Sequence, residues 1–424
     1  MQQYIYPERD TWNGLTQRPV MDTSSLEKIT GDILEDVKRK GDEAVRKYTL
    51  RFDKTDIKAL AVKPDEMAEG IKCVHEDLKK AILQAKLNIE KFHKAQKEEV
   101  KTIETMPGVK CWRKSVPIEN VGLYIPGGTA PLFSTILMLA VPAKLAGCKE
   151  IILCTPPDSK GNIHPAMLFA AALTGVTKVF KIGGVQAIAA MAYGTESVPK
   201  VDKIFGPGNQ YVMCAKQLVN KHSVAIDMPA GPSEVAVLAD ESCVPAFVAA
   251  DLLSQAEHGT DSQVLLVTTN KEVIEQVEKN MKEQLKKLPR KKIAAQALSN
   301  SKSVLVRNVN EAIDLINEYA PEHLIISCTN DEEIAERIMN AGSVFLGNYS
   351  PESAGDYASG TNHTLPTNGY ARAYSGVSLD SFVKKITYQK LSKEGLNEIA
   401  ATVEIMAAAE GLDAHKGAVT IRKM

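Results

Sequence analysis

Val121-Gly122-Leu123-Tyr124-Ile125-Pro126-Gly127-Gly128 is a short apolar run closed by a proline and two glycines. A run this apolar, with no polar alternation, fits a strand covered on both faces, and the glycines fit a turn at its carboxyl end. The pattern then repeats downstream. An Ala- and Leu-rich helical run at 134–145 follows, and strand-like runs at 150–154, 178–182 and 203–205 alternate with helical runs at 163–173, 185–193 and 210–219. That alternation is a βαβ array with a parallel sheet.

A second array has strand-like runs at 264–267, 304–307, 324–327 and 344–346, separated by helical runs at 271–288, 309–319 and 331–340. Asp331-Glu332-Glu333 after Asn330 reads as a cap and an acidic first turn. The similar texture of the arrays suggests a duplication, although no sequence repeat is visible. Before the first array, 23–51 and 64–98 space apolar residues such as Ile29, Ile33, Val37, Ile71, Leu78, Ile82 and Ile89 as amphipathic helices. A β-like stretch at 106–108 carries a Pro-Gly turn. In the tail, 378–424, Ile386, Leu391, Leu396, Ile399 and Ile405 follow a helical rhythm with no strand partner. Such a stripe must pack on the body of its own chain or on a neighbouring subunit.

With 424 residues the chain exceeds one ordinary core. Its 44% hydrophobic and 24% charged residues are those of a soluble globular protein. A net charge of -1 provides no basic surface for nucleic acid. No run reaches the ~20 apolar residues of a membrane span, and the N-terminus does not read as a signal peptide. The seven cysteines are scattered without a Cys-x-x-Cys, which suits free thiols in a reducing cytoplasm.

Three separated stretches offer zinc-type ligands. Ser254-Gln255-Ala256-Glu257-His258-Gly259 spaces Gln255 and His258 at i, i+3, one face of a helix. Taken alone, the pair reads equally well as a helix end with Gly259 as its stop. Asp356, in Ser353-Ala354-Gly355-Asp356-Tyr357, and His415, in Glu410-Gly411-Leu412-Asp413-Ala414-His415, strengthen the metal reading. Tyr319-Ala320-Pro321-Glu322-His323-Leu324 sets a carboxylate beside an imidazole at a strand edge. It suits general base catalysis by two groups serving different protons, or else a capped turn. Three glycine turns, at 126–131, 183–186 and 206–209, sit at equivalent strand ends, where amides approach phosphates in open α/β sheets, although each could be an ordinary tight turn. Gly206-Pro207-Gly208-Asn209-Gln210-Tyr211 lacks the third glycine of a dinucleotide fingerprint. Met228-Pro229-Ala230-Gly231-Pro232-Ser233 is a stiff loop that would hold Ser233 at a domain junction, or a linker turn. Cys148 and Cys154 lack the polar setting of a nucleophile, and His75 and His93 read as surface or interface residues.

Together these stretches resemble the histidinol dehydrogenase family. The matching runs are GLYIPGG, GGVQAIAAMAYGT, FGPGNQYV, AGPSEV, LLSQAEHG, YAPEHL, SAGDYASGTNHTLPT and AEGLDAHK, in the family's order. The resemblance implies zinc ligands at Gln255, His258, Asp356 and His415, and a general base pair at Glu322 and His323. It implies substrate contacts at Ser233, His363 and Glu410, with the ligands and base pair also lining the substrate. NAD contacts are implied at Tyr124, Gln186 and Asn209. The fold implied is α/β, with two Rossmann-like βαβ domains of incomplete dinucleotide type and a helical dimerisation region from both ends of the chain. Its expected parts are a larger domain at 20–121 and 234–377, an inserted NAD-binding domain at 122–233, a helical region at 1–19 and 378–404, and a tail at 405–424 that reaches the partner. The activity implied is oxidation of L-histidinol to L-histidine through L-histidinaldehyde with two NAD+, in a cytoplasmic homodimer. A zinc hydrolase, a non-catalytic zinc-assembled dimer and a relative acting on another amino or sulfonated alcohol stand as alternatives.

Overall fold

The computed structural model describes residues 1–18, 24–127, 130–221, 224–229 and 231–423. Gly128, Thr129 and Ala230 of the glycine and proline loops therefore lie outside the described residues. In chain order, strand β1 (Gln2–Ile5) and helix α1 (Trp12–Thr16) precede helices α2 (Ser24–Lys40), α3 (Asp42–Asp53), α4 (Pro64–Lys72) and α5 (Glu76–Lys94). A hairpin of β2 (Thr102–Met106) and β3 (Val109–Pro117) leads to the first array: β4 (Asn120–Tyr124), α6 (Phe133–Ala146), β5 (Glu150–Thr155), α7 (Pro165–Thr174), β6 (Lys178–Lys181), α8 (Gly184–Tyr193), β7 (Lys203–Phe205), α9 (Gln210–Asn220) and β8 (Ala225–Ile226). The second array is β9 (Glu234–Ala239), α10 (Pro245–Ala256), β10 (Gln263–Thr268), α11 (Lys271–Leu285), α12 (Lys291–Ser299), β11 (Lys302–Leu305), α13 (Val309–Tyr319), β12 (His323–Ser327), α14 (Asp331–Ala335) and β13 (Ser343–Leu346). Helix α15 (Glu352–Tyr357), strand β14 (Val383–Leu391), and helices α16 (Lys393–Ala409) and α17 (Asp413–Thr420) complete the chain.

Both arrays form fully parallel sheets, as the apolar runs predict. The five-stranded sheet runs β6-β5-β4-β7-β8, and the six-stranded sheet runs β1-β11-β10-β9-β12-β13. Without β1, the two orders are the same when strands are counted within each array. Each sheet reverses direction of growth once, between β4 and β7 and between β9 and β12. Those reversals are the topological switch points of a doubly wound fold.

Three expectations need correction. The N-terminal 1–19 is not purely helical, because β1 pairs in parallel with β11 and Trp12 and Leu15 fill the core beside Ile313 and Ile316. The tail is not purely helical either. Strand β14 pairs antiparallel with β3 from Val383↔Pro117 to Leu391↔Val109, and the Trp112 and Tyr388 rings stack across the pair at 5.4 Å. Finally, α2–α5 do not cover the six-stranded sheet. Ile33, Val37, Val45 and Tyr48 share a core with Phe180, Ile188 and Val212, and Ile82 and Ile89 with Leu123 and Leu137. Their stripes face the helices and strands of the five-stranded array.

The end of β7 shows how the fold shapes a ligand-facing turn. Gly206 has φ +119°, and a Cβ there would lie 2.0 Å from the Tyr124 carbonyl oxygen, so only glycine lets β7 approach β4 this closely. The Asp227 carboxylate accepts from the Gly206 and Met228 N–H groups at 2.8 Å, while Lys216 Nζ donates to the Gly206 carbonyl at 2.8 Å and pairs with Asp227. The two charges are 1% and 2% exposed. Replacing Lys216 by methionine leaves Asp227 buried without its counter-charge. We expect Lys216→Met to lose about 3–5 kcal/mol of unfolding free energy in chemical denaturation; a loss within experimental error of zero would show that the pair is not holding this turn.

Candidate active site

The switch point between β9 and β12 places chemistry at the amino ends of the strands. His323 begins β12 opposite Val235, and Glu322 precedes it. Both side chains are buried. Glu234, the first residue of β9, meets both through its main chain. Its N–H donates to Glu322 Oε2 at 2.8 Å, and its carbonyl accepts from His323 Nδ1 at 3.2 Å. That contact assigns the ring proton to Nδ1, and Nε2 is buried with no hydrogen-bond partner. Ser233 lies one residue before β9, so it sits at the same sheet end. Glu234 itself is fixed by Arg18, whose Nε and Nη2 donate to its two carboxylate oxygens at 2.9 and 2.8 Å. The Arg18 guanidinium lies 3.7 Å from the Tyr319 ring centroid.

Helix α10 runs antiparallel to the strands, so its carboxyl end arrives at this same edge. Gln255 occupies its last turn, 1% exposed, and neither of its amide atoms has a partner. The helix ends at Ala256, and His258 continues as a turn whose N–H donates to the Gln255 carbonyl at 3.2 Å. Helix α15 packs against α10 and brings Glu352 and Asp356 one turn apart. Ligand atoms of His258, Glu352 and Asp356 all lie within 4.8 Å of one another. An orphaned buried amide beside imidazole and carboxylates suits an ion of intermediate softness.

The electrostatics are those of crowded acids. Burial pushes the carboxyls of Glu322 and Glu352 each up to about 8. Burial alone would lower the His323 pKa, but Glu352, Glu322 and Asp356 outweigh it and hold it raised. Asp356 goes the other way: burial would raise its pKa, but the facing His323 ring and the other nearby imidazoles hold it down. Its Oδ1 is 3.5 Å from His323 Nε2.

His363 bridges to the other sheet. Its Nδ1 is 2.8 Å from the Asp356 carbonyl, and its Nε2 is 3.1 Å from Thr135 Oγ1 on α6. His93, expected at a surface or interface, is instead fully buried. It sits 3.3 Å from the Asn362 amide, which also donates to the Met138 carbonyl at 2.7 Å. His93 lies on the inner stripe of α5, so its bonds fix the loop that carries His363.

The remaining expected contacts divide. Tyr124, Gln186 and Asn209 all line one cavity of about 1550 Å³ at the carboxyl ends of the five-stranded sheet. The Tyr124 hydroxyl accepts from the Gly184 N–H at 3.0 Å, and Asn209 Oδ1 caps α9 by accepting from the Tyr211 and Val212 N–H groups. Gln186 is fully buried with both amide atoms unpaired, which suits a polar ligand. Pro131 lines this cavity, and Thr135, four residues on, reaches His363, so α6 links cavity to cluster. Glu410 and His415, by contrast, are exposed on the tail and are not brought to the cluster within one chain. The cysteines carry no chemistry at this edge, since all seven are free and burial pushes the Cys148 thiol up to about 12. Glu234 and Glu352 were missed by the sequence reading; Glu234 adjoins Ser233 in a singled-out run, whereas nothing marked Glu352.

A doubly wound sheet with a cavity at the carboxyl ends of its strands, linked through α6 to a buried acid–imidazole pair on a second sheet, is an arrangement that suits an α/β oxidoreductase. The model of the family "Histidinol dehydrogenase" matches residues 16–423. A histidinol dehydrogenase of Bacteroides thetaiotaomicron is 62% identical over 98% of this chain and 97% of its own length, and one of Escherichia coli is 53% identical over 96% and 94%. The crystal structure of histidinol dehydrogenase from Elizabethkingia anophelis superposes with a TM-score of 0.98 at 56% identity, covering 100% of this chain and 98% of that one. The chain belongs to the histidinol dehydrogenase family.

Because Glu234 orients both proton carriers, its own anchor matters. Arg18→Met leaves the buried Glu234 carboxylate without its counter-charge, with only the Asn368 N–H still donating to it, and we expect a loss of about 3–5 kcal/mol in denaturant unfolding together with reduced turnover. Wild-type stability and rate would show that Arg18 is dispensable to this edge.

Proposed function

We propose that the protein oxidises L-histidinol to L-histidine through L-histidinaldehyde, using two NAD+ and a zinc ion held by Gln255, His258, Asp356 and, in a homodimer, His415 of the partner subunit. The observation that carries this reading is the buried Glu322–His323 pair lying against the His258, Glu352 and Asp356 group. The orphaned amide of Gln255 is the reason zinc fits, and that of Gln186 the reason a dinucleotide fits. When bound, NAD+ accepts hydride and zinc supplies a Lewis-acidic template for the imidazole and amine of the substrate.

The chain's own residues handle protons. His323 has Nδ1 tied to the Glu234 carbonyl, so Nε2 is the atom that faces the alcohol and takes its proton. The carboxylates around the ring hold it charged in the metal-free chain; a cation bound by Asp356 and His258 would withdraw that support and free Nε2 to accept the proton. The aldehyde must then add water before a second oxidation. Glu322, tethered through Oε2, keeps its other oxygen to take a proton from that water while the His323 imidazolium gives its proton to the carbonyl oxygen; His323, neutral again, then takes a hydroxyl proton of the hydrate as the second hydride leaves, and Glu322 releases its proton to solvent. Ser233, His363 and Glu410 of the partner subunit are the proposed further substrate contacts, and Tyr124, Gln186 and Asn209 hold the dinucleotide. Among the described residues no helix is long and apolar enough to cross a membrane, and we place the enzyme in the cytoplasm on the strength of its biosynthetic relatives. A zinc hydrolase has no use for the dinucleotide cavity, and membership of an oxidoreductase family disfavours it.

Full conversion of L-histidinol should yield two NADH per substrate by absorbance, and His323→Asn should slow turnover by about 10²-fold or more with histidinol binding nearly intact. One NADH per substrate, or undiminished turnover in the variant, would defeat the scheme. The shared site has its own check. Dimers reconstituted from equal amounts of inactive Glu322→Gln and His415→Asn chains should recover roughly a quarter of wild-type activity, since random pairing leaves about one intact site in four. No recovery despite demonstrated subunit exchange would place His415 outside the partner's site.

A further inference from the structure

One acid on the wall of the large cavity has features that its local structure does not explain. Asp53 is the last residue of α3, at the end where the helix dipole disfavours a carboxylate. It is half-buried and lines the cavity, and its Oδ2 is walled off with no hydrogen-bond partner. Burial pushes its carboxyl up to about 6, and no neighbouring cation offsets that. A buried carboxylate oxygen is almost always paired, so an orphan marks a donor that arrives with a ligand. The charge is shared by both oxygens, so a donor on the cavity side stabilises the whole group.

The strand order says which donor that is. In the sheet β6-β5-β4-β7-β8, β4 takes the first position of a doubly wound fold and β5 the second. Dinucleotide sites of this type place an acid near the end of the second strand, where it accepts from the adenosine ribose 2′-hydroxyl. Here β5 runs out into Thr155-Pro156-Pro157-Asp158. The prolines offer no side-chain acceptor, and Asp158 Oδ1 accepts from the Lys160 and Asn162 N–H groups of its own loop at 2.8 Å. The acid comes instead from outside the array. The Thr55 hydroxyl is shared between the carbonyls of Asp53, at 3.0 Å, and Asp158, at 3.1 Å. The chain that follows bonds to β6, with the Lys181 N–H donating to the Leu60 carbonyl at 2.8 Å and the Val62 N–H to the Val179 carbonyl at 2.9 Å. These bonds pin the end of α3 beside the end of β5. We infer that Asp53 sets cofactor choice, accepting from the adenosine 2′-hydroxyl of NAD+ and excluding the 2′-phosphate of NADP+. This rests on the dinucleotide reading proposed above. The rest of the wall agrees in sign. Asp32, Glu66, Glu69 and Asp158 share it with Asp53, against the guanidinium of Arg51, which lies 5.3 Å from the Phe52 ring centroid. A second phosphate entering there meets like charge.

The test is equilibrium binding to the full-length protein by titration calorimetry, with NAD+, NADP+ and NAD+ lacking the adenosine 2′-hydroxyl as probes. The wild type should bind NAD+ at least about tenfold tighter than the deoxy analogue, and about 100-fold or more tighter than NADP+. Asp53→Ala should bind NAD+ and the deoxy analogue alike, because the hydroxyl has lost its acceptor. Asp53→Asn keeps an acceptor without the charge, and should bind NADP+ at least about tenfold tighter than the wild type does. An aspartate that only supports the fold would change affinity for all three probes by one factor. That outcome, or a wild type indifferent to the 2′ position, would overturn the inference and leave the dinucleotide site standing. Failure of the wild type to bind any probe would instead remove the dinucleotide reading and the inference with it. If both variants fail to fold by circular dichroism, the wild-type comparison of NAD+ with its deoxy analogue decides alone, and equal affinities overturn the proposal.

Discussion

The main chain of Glu234 is the contact on which the site depends. One peptide unit on each side of its Cα holds a proton carrier: the N–H fixes Glu322 and the carbonyl fixes His323. Glu234 opens β9 and is held in the parallel ladder opposite Gln263, so its main chain cannot swing and both side chains inherit the rigidity of the sheet. This is possible only because β9 and β12 are neighbours, which is the switch-point adjacency of the doubly wound order. Adjacent residues on a strand point to opposite faces. Glu322 and His323 escape that separation because Glu322 stands just before the strand, where the chain is still turning out of Ala320, which has φ +51°. The two remain 3.8 Å apart, close enough to feel each other's charge but held by different partners.

The twin sheets are used from opposite ends. In the five-stranded sheet, the carboxyl ends of β4, β6 and β7 carry the turns that line the large cavity. In the six-stranded sheet, the amino ends of β9 and β12 carry the acids and imidazole, and the carboxyl end of α10 brings Gln255 to meet them. Similar strand order therefore does not mean similar use. Helix α6 spans the difference, with its approach lining the cavity and Thr135 touching His363. The price of the arrangement is a surplus of buried carboxylates around a single imidazole. Unpaired buried charge is costly enough to reorganise a site, and such a cluster shares its protons collectively.

Much of this was readable from residues alone. Every strand of the first array from β4 to β7 falls within a residue or two of its apolar run, because a strand buried on both faces has no polar position to blur it. Glu322, His323, His258 and Asp356 stand out in the sequence and lie together in the fold, with Gln255 in the last turn of the helix that leads to His258. The failures have physical causes. Strand β1 is four residues at a sheet edge, too short for periodicity. Strand β14 finds its partner far upstream in β3, and no local pattern reports a long-range antiparallel pairing. His93 looked exposed because charged residues flank it, yet it occupies the inner stripe of α5. The stripes of α2–α5 announce burial without naming the sheet they bury against. Glu352 carries no motif at all, and only the packing of α15 on α10 turns it towards His323.

The tail gives the last step. Helices α16 and α17 pack chiefly on each other, leaving Ile405, Met406, Leu412 and Ile421 exposed. An apolar stripe of that kind, next to a β14 whose outer residues are also largely exposed, is the kind of surface that marks an interaction site. At the same time His258 is open to solvent at the rim of an otherwise buried cluster. In the proposed homodimer a second copy would answer both features at once, covering the stripe and bringing its His415 to the open side of the His258 cluster. On that proposal assembly and catalysis are coupled by construction, since the surface that would bury the tail is the one that would complete the site.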